Sequence, residues 1–509
     1  MNRKWRLRRG LPLLAVFCLT GALAGAPPVA AEEGGEPGTQ LQWGPCPEDV
    51  PADPPQLQCA TLPVPLNYSD PGGVQIELMI SRLASTNPDK RRGVLLLNPG
   101  GPGGSGLGLS KLLVDQGAPD SVLDSYDLIG MDTRGVGHSS PVSCGFTIDR
   151  PYYTNIPPYA VDEAAVAAQA AVARDVAELC AANDPEGRLP HLTTANNARD
   201  LDRIRAALGE ETASFLGYSY GSAVGAAYAS MFPERADRVV LDSNIGDTFL
   251  DQDGMRRYGR GVEETFPDFA QWAAARHDSY GLGRTPEEVR ATYFTIAEGL
   301  DKKPVDGIDG GFFRFGVFAA LFNTKSYEKM AQTWQSQLAA VRAGSAGDPA
   351  ATAPPADPTA LVPHDNSLTV FLATTCNDVE WPEDIGAYER AVAEDREQYP
   401  LFGAATANIL PCAYWKWGPV EPAVRIDNTG PADVLILQNQ RDPVTPLRGG
   451  ELLDEKFGER SRLVDVDGSG HGVYVLGKNS CAFDIATDYL VDGTMPGKDQ
   501  TCEHVPAAG

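Results

Sequence analysis

The sequence predicts an α/β protein: a mostly parallel sheet covered by helices on both faces, with a largely helical insertion late in the sheet. Three observations carry this. Short, mainly apolar runs at 94–97, 127–131, 214–216, 239–241, 434–437 and 463–466 alternate with helical patterns, and continuous apolar strands belong to sheets buried on both faces. A Gly-x-Ser-x-Gly turn lies between one such run and the helix behind it. From about 246 to 417 the strand rhythm stops, and Trp272, Trp334, Trp381, Trp415 and Trp417 concentrate in helical sequence.

In chain order, residues 1–31 read as a signal peptide. Arg3, Lys4, Arg6, Arg8 and Arg9 precede an apolar run at 11–23, and Val29-Ala30-Ala31 has the small residues of a cleavage site. The run is short for a membrane span. Arg8-Arg9 is a poor match to a twin-arginine signal, and Phe17 before Cys18 argues against a lipid anchor. Residues 32–245 form the first part of the sheet domain: a Pro-rich stretch at 45–55, strands at 94–97 and 127–131, and helices at 164–180 and 198–208, the latter stopped by Gly209. A strand at 214–216, a helix at 222–231 and a strand at 239–241 complete it. Residues 246–417 are the insertion, with an Ala/Pro/Gly/Asp-rich stretch at 343–363 expected to be a mobile loop. Residues 418–509 return to the sheet.

Composition excludes other classes. With 509 residues, 42% hydrophobic and 22% charged, the chain is neither disordered nor fibrous. Its net charge of 42 − 68 = −26 repels phosphate backbones and argues against nucleic-acid binding. Removing residues 1–31 leaves 37 − 68 = −31. Nine cysteines less Cys18 leave eight, an even number that fits disulfides in a secreted protein. Pairing by neighbours gives Cys46–Cys59, Cys144–Cys180, Cys376–Cys412 and Cys481–Cys502. Metal ligation is the rival, but no Cys-x-x-Cys or clustered Cys/His spacing supports it.

Gly217-Tyr218-Ser219-Tyr220-Gly221 is the strongest chemical signal. Small residues flank Ser219 because the strand-to-helix turn is too tight for side chains, and that turn lifts the hydroxyl to a helix start. A serine nucleophile needs a base, and the base an orienting acid, in the chain order Ser…Asp…His. His471, in Gly470-His471-Gly472 after the last predicted strand, is the base candidate; His504 reads as an exposed tail residue. Asp442, in Asp442-Pro443-Val444-Thr445-Pro446 directly after its strand, is the acid candidate ahead of Asp465 and Asp467. The loop from Asn98 to Gly104 offers backbone N–H groups for an oxyanion hole, with the Tyr220 N–H as the second donor. It lacks both the Gly-Lys-Ser/Thr of a P-loop and a G-x-G-x-x-G fingerprint.

Together, Asn98-Pro99-Gly100-Gly101-Pro102-Gly103, Asp132-Thr133-Arg134-Gly135-Val136-Gly137-His138-Ser139 and the Ser219, Asp442 and His471 motifs resemble the secreted tripeptidyl aminopeptidases of actinobacteria. These lie in the α/β-hydrolase group that includes prolyl iminopeptidases, and the resemblance spans about residues 40–505. It implies an α/β-hydrolase fold with a helical cap, and Ser219, Asp442 and His471 as the triad. It also implies Gly101 and Tyr220 as oxyanion donors, peptide substrates, and no cofactor or metal. Pro99 stands where prolyl iminopeptidases have histidine, which weakens transfer of their proline preference. Asp132 and Arg134 are expected to brace their loop as a salt bridge. An aminopeptidase must hold an ammonium, and Asp378 and Glu380 are the candidate carboxylates; a solvated acidic loop pinned by Cys376 is the rival reading. The expected activity is that of a secreted serine exopeptidase releasing short N-terminal peptides, tripeptides in this family. An esterase or lipase using the same triad, and a catalytically silent binding protein, are the alternatives.

Overall fold

The computed structural model describes residues 41–51, 57–147, 152, 154–344, 362–477 and 479–504. The expected signal peptide lies outside these residues, as does most of the expected loop at 343–363. Among the described residues ten strands form one sheet: β1 (Gly44–Pro45), β2 (Gln58–Pro65), β3 (Gln75–Leu83), β4 (Gly93–Asn98), β5 (Tyr126–Met131), β6 (Ala213–Tyr218), β7 (Ala236–Asp242), β8 (Val434–Arg441), β9 (Ser461–Ser469) and β10 (Gln500–Cys502). Their order is β1-β2-β3-β5-β4-β6-β7-β8-β9-β10. Pairings from β5 through β10 are parallel, while β1, β2 and β3 add antiparallel strands at one edge.

Burial follows from this layering. Every residue of β4, β5 and β6 is buried, which explains why these strands read as continuous apolar runs. Alternate side chains feed two cores. Leu95, Leu97 and Leu216 face the helices Leu109–Asp115, Asp120–Ser125 and Ser480–Asp492. Val94, Leu96 and Phe215 face the helices Thr194–Ala207 and Tyr220–Met231. The second core continues into the helical segment between β7 and β8, where Phe266, Phe269, Tyr293, Phe313 and Trp334 pack ring on ring.

Four disulfides staple the fold: Cys46–Cys59, Cys144–Cys180, Cys376–Cys412 and Cys481–Cys502. From β4 the chain moves one way along the sheet to β5, then returns past β4 to β6. This reversal opens a crevice at the carboxyl ends of β4 and β6, the general ligand position of such sheets. Asn98 is in register with Gly217, Tyr218 with Asp242, and Arg441 with Ser469. Loops bearing the candidate chemistry thus leave the same sheet edge.

Candidate active site

Ser219 follows β6 with φ 58° and ψ −126° and begins the helix Tyr220–Met231. A side chain at Gly217 would meet Gly221 O at 2.4 Å, and one at Gly221 would meet Asn98 O at 2.8 Å, so the turn admits only glycine there. The Ser219 N–H donates to Asp242 O at 2.9 Å. The glycine-rich loop lies directly on this turn. A Cβ on Gly100 would be 2.8 Å from Ser219 Cβ and 3.0 Å from Tyr220 N, and Gly100 and Gly101 adopt φ of 92° and 113°. Among the described residues, neither the Gly101 nor the Tyr220 N–H donates a hydrogen bond, which leaves both available to a developing oxyanion.

Asp132 braces that loop, though not as part of a salt bridge with Arg134. Its carboxylate accepts from Ser105 Oγ at 2.6 Å, Gly106 N at 3.1 Å and His138 N at 2.9 Å. Arg134 instead reaches Asp200 through two bonds, at 2.8 and 2.7 Å. The buried guanidinium needs a whole carboxylate, and that of Asp132 is taken by the loop.

Asp442 is fully buried just beyond β8. Its Oδ1 accepts from Val444 N at 3.0 Å and Thr445 N at 2.9 Å, and its Oδ2 accepts from Thr445 Oγ1 at 2.8 Å. The same Oδ2 lies 2.8 Å from His471 Nδ1. Asn439 Nδ2 donates to the carbonyls of both Gly470 and Gly472, fixing the loop on either side of the imidazole. The insertion adds a third hold: His471 N donates to Phe322 O at 2.8 Å, and the two rings lie 5.2 Å apart. Burial opposes the imidazolium, but the charge and hydrogen bond of Asp442, with Asp242 beside them, outweigh it and raise the His471 pKa above its ordinary value. Among the described residues no hydrogen bond joins Ser219 Oγ to the imidazole; such bonds are often long without substrate. The other candidates are placed elsewhere. Asp465 pairs with Gln440, Asp467 with Arg441, and exposed His504 lies against the Asp467 carbonyl.

The two acids proposed for an ammonium are separated by burial. Asp378 ends the helix Asn366–Asp378, and its oxygens accept from Thr194 N at 2.8 Å and Thr194 Oγ1 at 2.6 Å. Thr194 Oγ1 in turn accepts from Tyr220 Oη at 2.6 Å, linking Asp378 to the residue after Ser219. Burial pushes the Asp378 carboxyl up to about 7, against the Thr194 bonds and with help from Glu421. Asp378 lines a crevice with Thr248 and Glu421. Glu380 is exposed and does not line it. Asp242, Ser243, Asn439 and Phe322 also hold the site and no motif marks them; Asp242 ends β7 and Ser243 follows it. Among the described residues no group of His, Cys, Asp and Glu could hold a metal ion, and no helix is long and apolar enough to cross a membrane.

A family model described as "TAP-like protein" matches residues 399–502, the stretch that carries Asp442 and His471. Serine protease Hip1 of Mycobacterium tuberculosis is 27% identical over 98% of this chain and 97% of its own length. Carboxylesterase B of the same species is 29% identical over 99% of this chain and all of its own length. Tripeptidyl aminopeptidase of Streptomyces lividans is 34% identical over 89% of this chain and 86% of its own length. With that similarity carried along nearly the whole chain, and a parallel sheet that presents serine, aspartate and histidine at one edge, the protein belongs to the tripeptidyl aminopeptidase family of α/β-hydrolase serine hydrolases.

Proposed function

We propose that this serine hydrolase is a secreted exopeptidase that releases short peptides, tripeptides by family likeness, from free amino termini. The observation that carries the reading is the 2.8 Å Asp442–His471 pair beside a Ser219 turn closed by Gly100. Asp442 accepts a hydrogen bond from Nδ1–H, which holds the tautomer that leaves Nε2 as the base. His471 takes the Ser219 proton as Oγ attacks the scissile carbonyl, and the Gly101 and Tyr220 N–H groups hold the oxyanion. The imidazolium then protonates the leaving amine, and water, activated by the same histidine, releases the N-terminal fragment from Ser219. The basic and apolar residues of 1–31, read as a leader, and the four disulfides fit export. Residues 246–417 serve as a cap that restricts entry to peptide ends.

For the substrate ammonium we assign Asp378, with Glu380 as an outer carboxylate. Asp378 is joined through the Thr194 hydroxyl to the Tyr220 phenol, whose backbone follows Ser219. An ester hydrolase is the second reading, favoured by the similarity to a protein named carboxylesterase B. One comparison separates them: Ala-Ala-Pro p-nitroanilide, its N-acetylated twin and a short p-nitrophenyl ester. Cleavage confined to the free-amine peptide is expected, with the preference over the acetylated twin lost in Asp378→Asn. Fast ester turnover without peptide cleavage supports the esterase. Ser219→Ala is expected to abolish both turnover and fluorophosphonate labelling while retaining a wild-type thermal transition.

A further inference from the structure

Nucleophile and base leave different strands, yet both are fastened to two neighbouring residues at the end of β7. The Asp242 carbonyl accepts from Ser219 N at 2.9 Å. The Asp242 carboxylate, wholly buried, accepts from Val473 N at 2.9 and 3.1 Å and from Tyr474 N at 2.7 Å, just beyond His471. Ser243 Oγ accepts from Gly472 N at 2.9 Å and donates to Asp242 Oδ1 at 2.9 Å. Ser243 does this with φ 59°, close to the 58° of Ser219. Left-handed backbone at a residue with a Cβ is strained and persists where surrounding bonds enforce it; here Ser243 N donates to Leu437 O at 3.0 Å and Asn244 N to Gln438 Oε1 at 2.8 Å. Neither residue touches the Asp442–His471 bond.

We propose that Asp242 and Ser243 are positioning residues that lock the His471 loop onto the Ser219 turn, with the Asp242 charge also favouring the imidazolium formed during attack. The proposal rests on the assignment of Ser219 and His471 as nucleophile and base. The field at the imidazole comes from few groups. Asp442 and the Thr445 hydroxyl face it from the loop after β8, Asp242 acts from β7, and the insertion presents the uncharged Phe322. Around Asp242 and Asp442 stand the phenols of Tyr218, Tyr474 and Tyr258, which burial pushes far up, so they remain neutral near neutral pH. Burial also pushes the Asp242 carboxyl up to about 6, against the pull of its N–H and hydroxyl donors.

Asp242→Asn keeps the shape but turns an acceptor into an amide facing a backbone N–H, and Ser243→Ala removes the hydroxyl that holds Gly472. The mature enzyme and each variant are compared by thermal transition, kcat and KM on the peptide it cleaves best, the pH profile of kcat/KM, and the rate of fluorophosphonate labelling. Both variants are expected to lose about tenfold or more in kcat, with slower labelling and little change in KM. Loss of the Asp242 charge lowers the His471 pKa, so the acid limb of Asp242→Asn moves to lower pH, by about half a unit or more, while that of Ser243→Ala stays. An unmoved limb in a folded Asp242→Asn overturns the electrostatic role, and wild-type kcat in Ser243→Ala overturns the lock. If Asp242→Asn shows no thermal transition, Asp242→Ser takes its place in the limb comparison and Ser243→Ala decides the lock. Residual turnover in Ser219→Ala signals instead that the nucleophile assignment fails.

Discussion

Gly100 shows how tightly the Ser219 turn is enclosed. A methyl group there would stand 2.4 Å from Tyr218 O and 2.8 Å from Ser219 Cβ, so the loop or the turn has to move. Gly100→Ala is expected to fold yet lose about 100-fold or more in kcat, because displaced N–H donors no longer meet the oxyanion; kcat measured beside the melting temperature checks it. The same crowding made Ser219 legible in the sequence, since a turn that excludes side chains writes glycines on both sides. Asp442 stands out in the sequence because it directly follows a recognisable strand, and His471 because it lies between two glycines shortly after the last one. Asp242-Ser243 also follows a strand, but no local pattern marks it; its importance arises only when β7 lies beside β6 and its carbonyl meets Ser219. Arg134 carries the same lesson: two charges spaced for a local pair separate once Asp200 comes within reach.

Strands buried on both faces were readable, and all six apolar runs fall within β4 to β9. The antiparallel strands β2 and β3 were not, because exposed residues interrupt their buried ones and break the continuous apolar signature. Helix starts were read late: the helix read at 198–208 begins at Thr194, four residues earlier, capped by Thr193, which accepts from Asn196 N. Buried Asn196 and Asn197 made that first turn look like loop. The helix Asn366–Asp378 brings Asp378 to Thr194, and the Cys376–Cys412 disulfide ties its end to the turn Pro411–Tyr414. Those cysteines are 36 residues apart, a loop whose closure entropy corresponds to about 4 kcal/mol. Replacing both by serine is expected to lower stability by up to that amount in denaturant unfolding, and to raise KM for the free-amine peptide while leaving the rate of fluorophosphonate labelling near wild type.

Across the whole molecule the excess of 68 acidic over 42 basic residues gives a net charge of −26. Such a field concentrates a substrate whose amino terminus is cationic and leaves neutral substrates unaffected. Raising salt from about 0.01 to 0.5 M shortens the screening length several-fold, so kcat/KM for a free-amine peptide is expected to fall while that for a neutral ester stays level. Equal salt curves for the two substrates count against steering. The helical segment between β7 and β8 touches the chemistry twice. Its Phe322 carbonyl holds the His471 N–H, and Gly261 passes so close that a Cβ would lie 2.7 Å from Asp442 O. A segment packed against both Asp442 and His471 is not an interchangeable module. Transplanting the corresponding segment of a relative to alter selectivity requires matching the acceptor over His471 and the bare backbone over Asp442, besides the two splice points. A chimaera that matches only its ends is expected to misplace Asp442 and His471, and loss of turnover in a folded chimaera checks it.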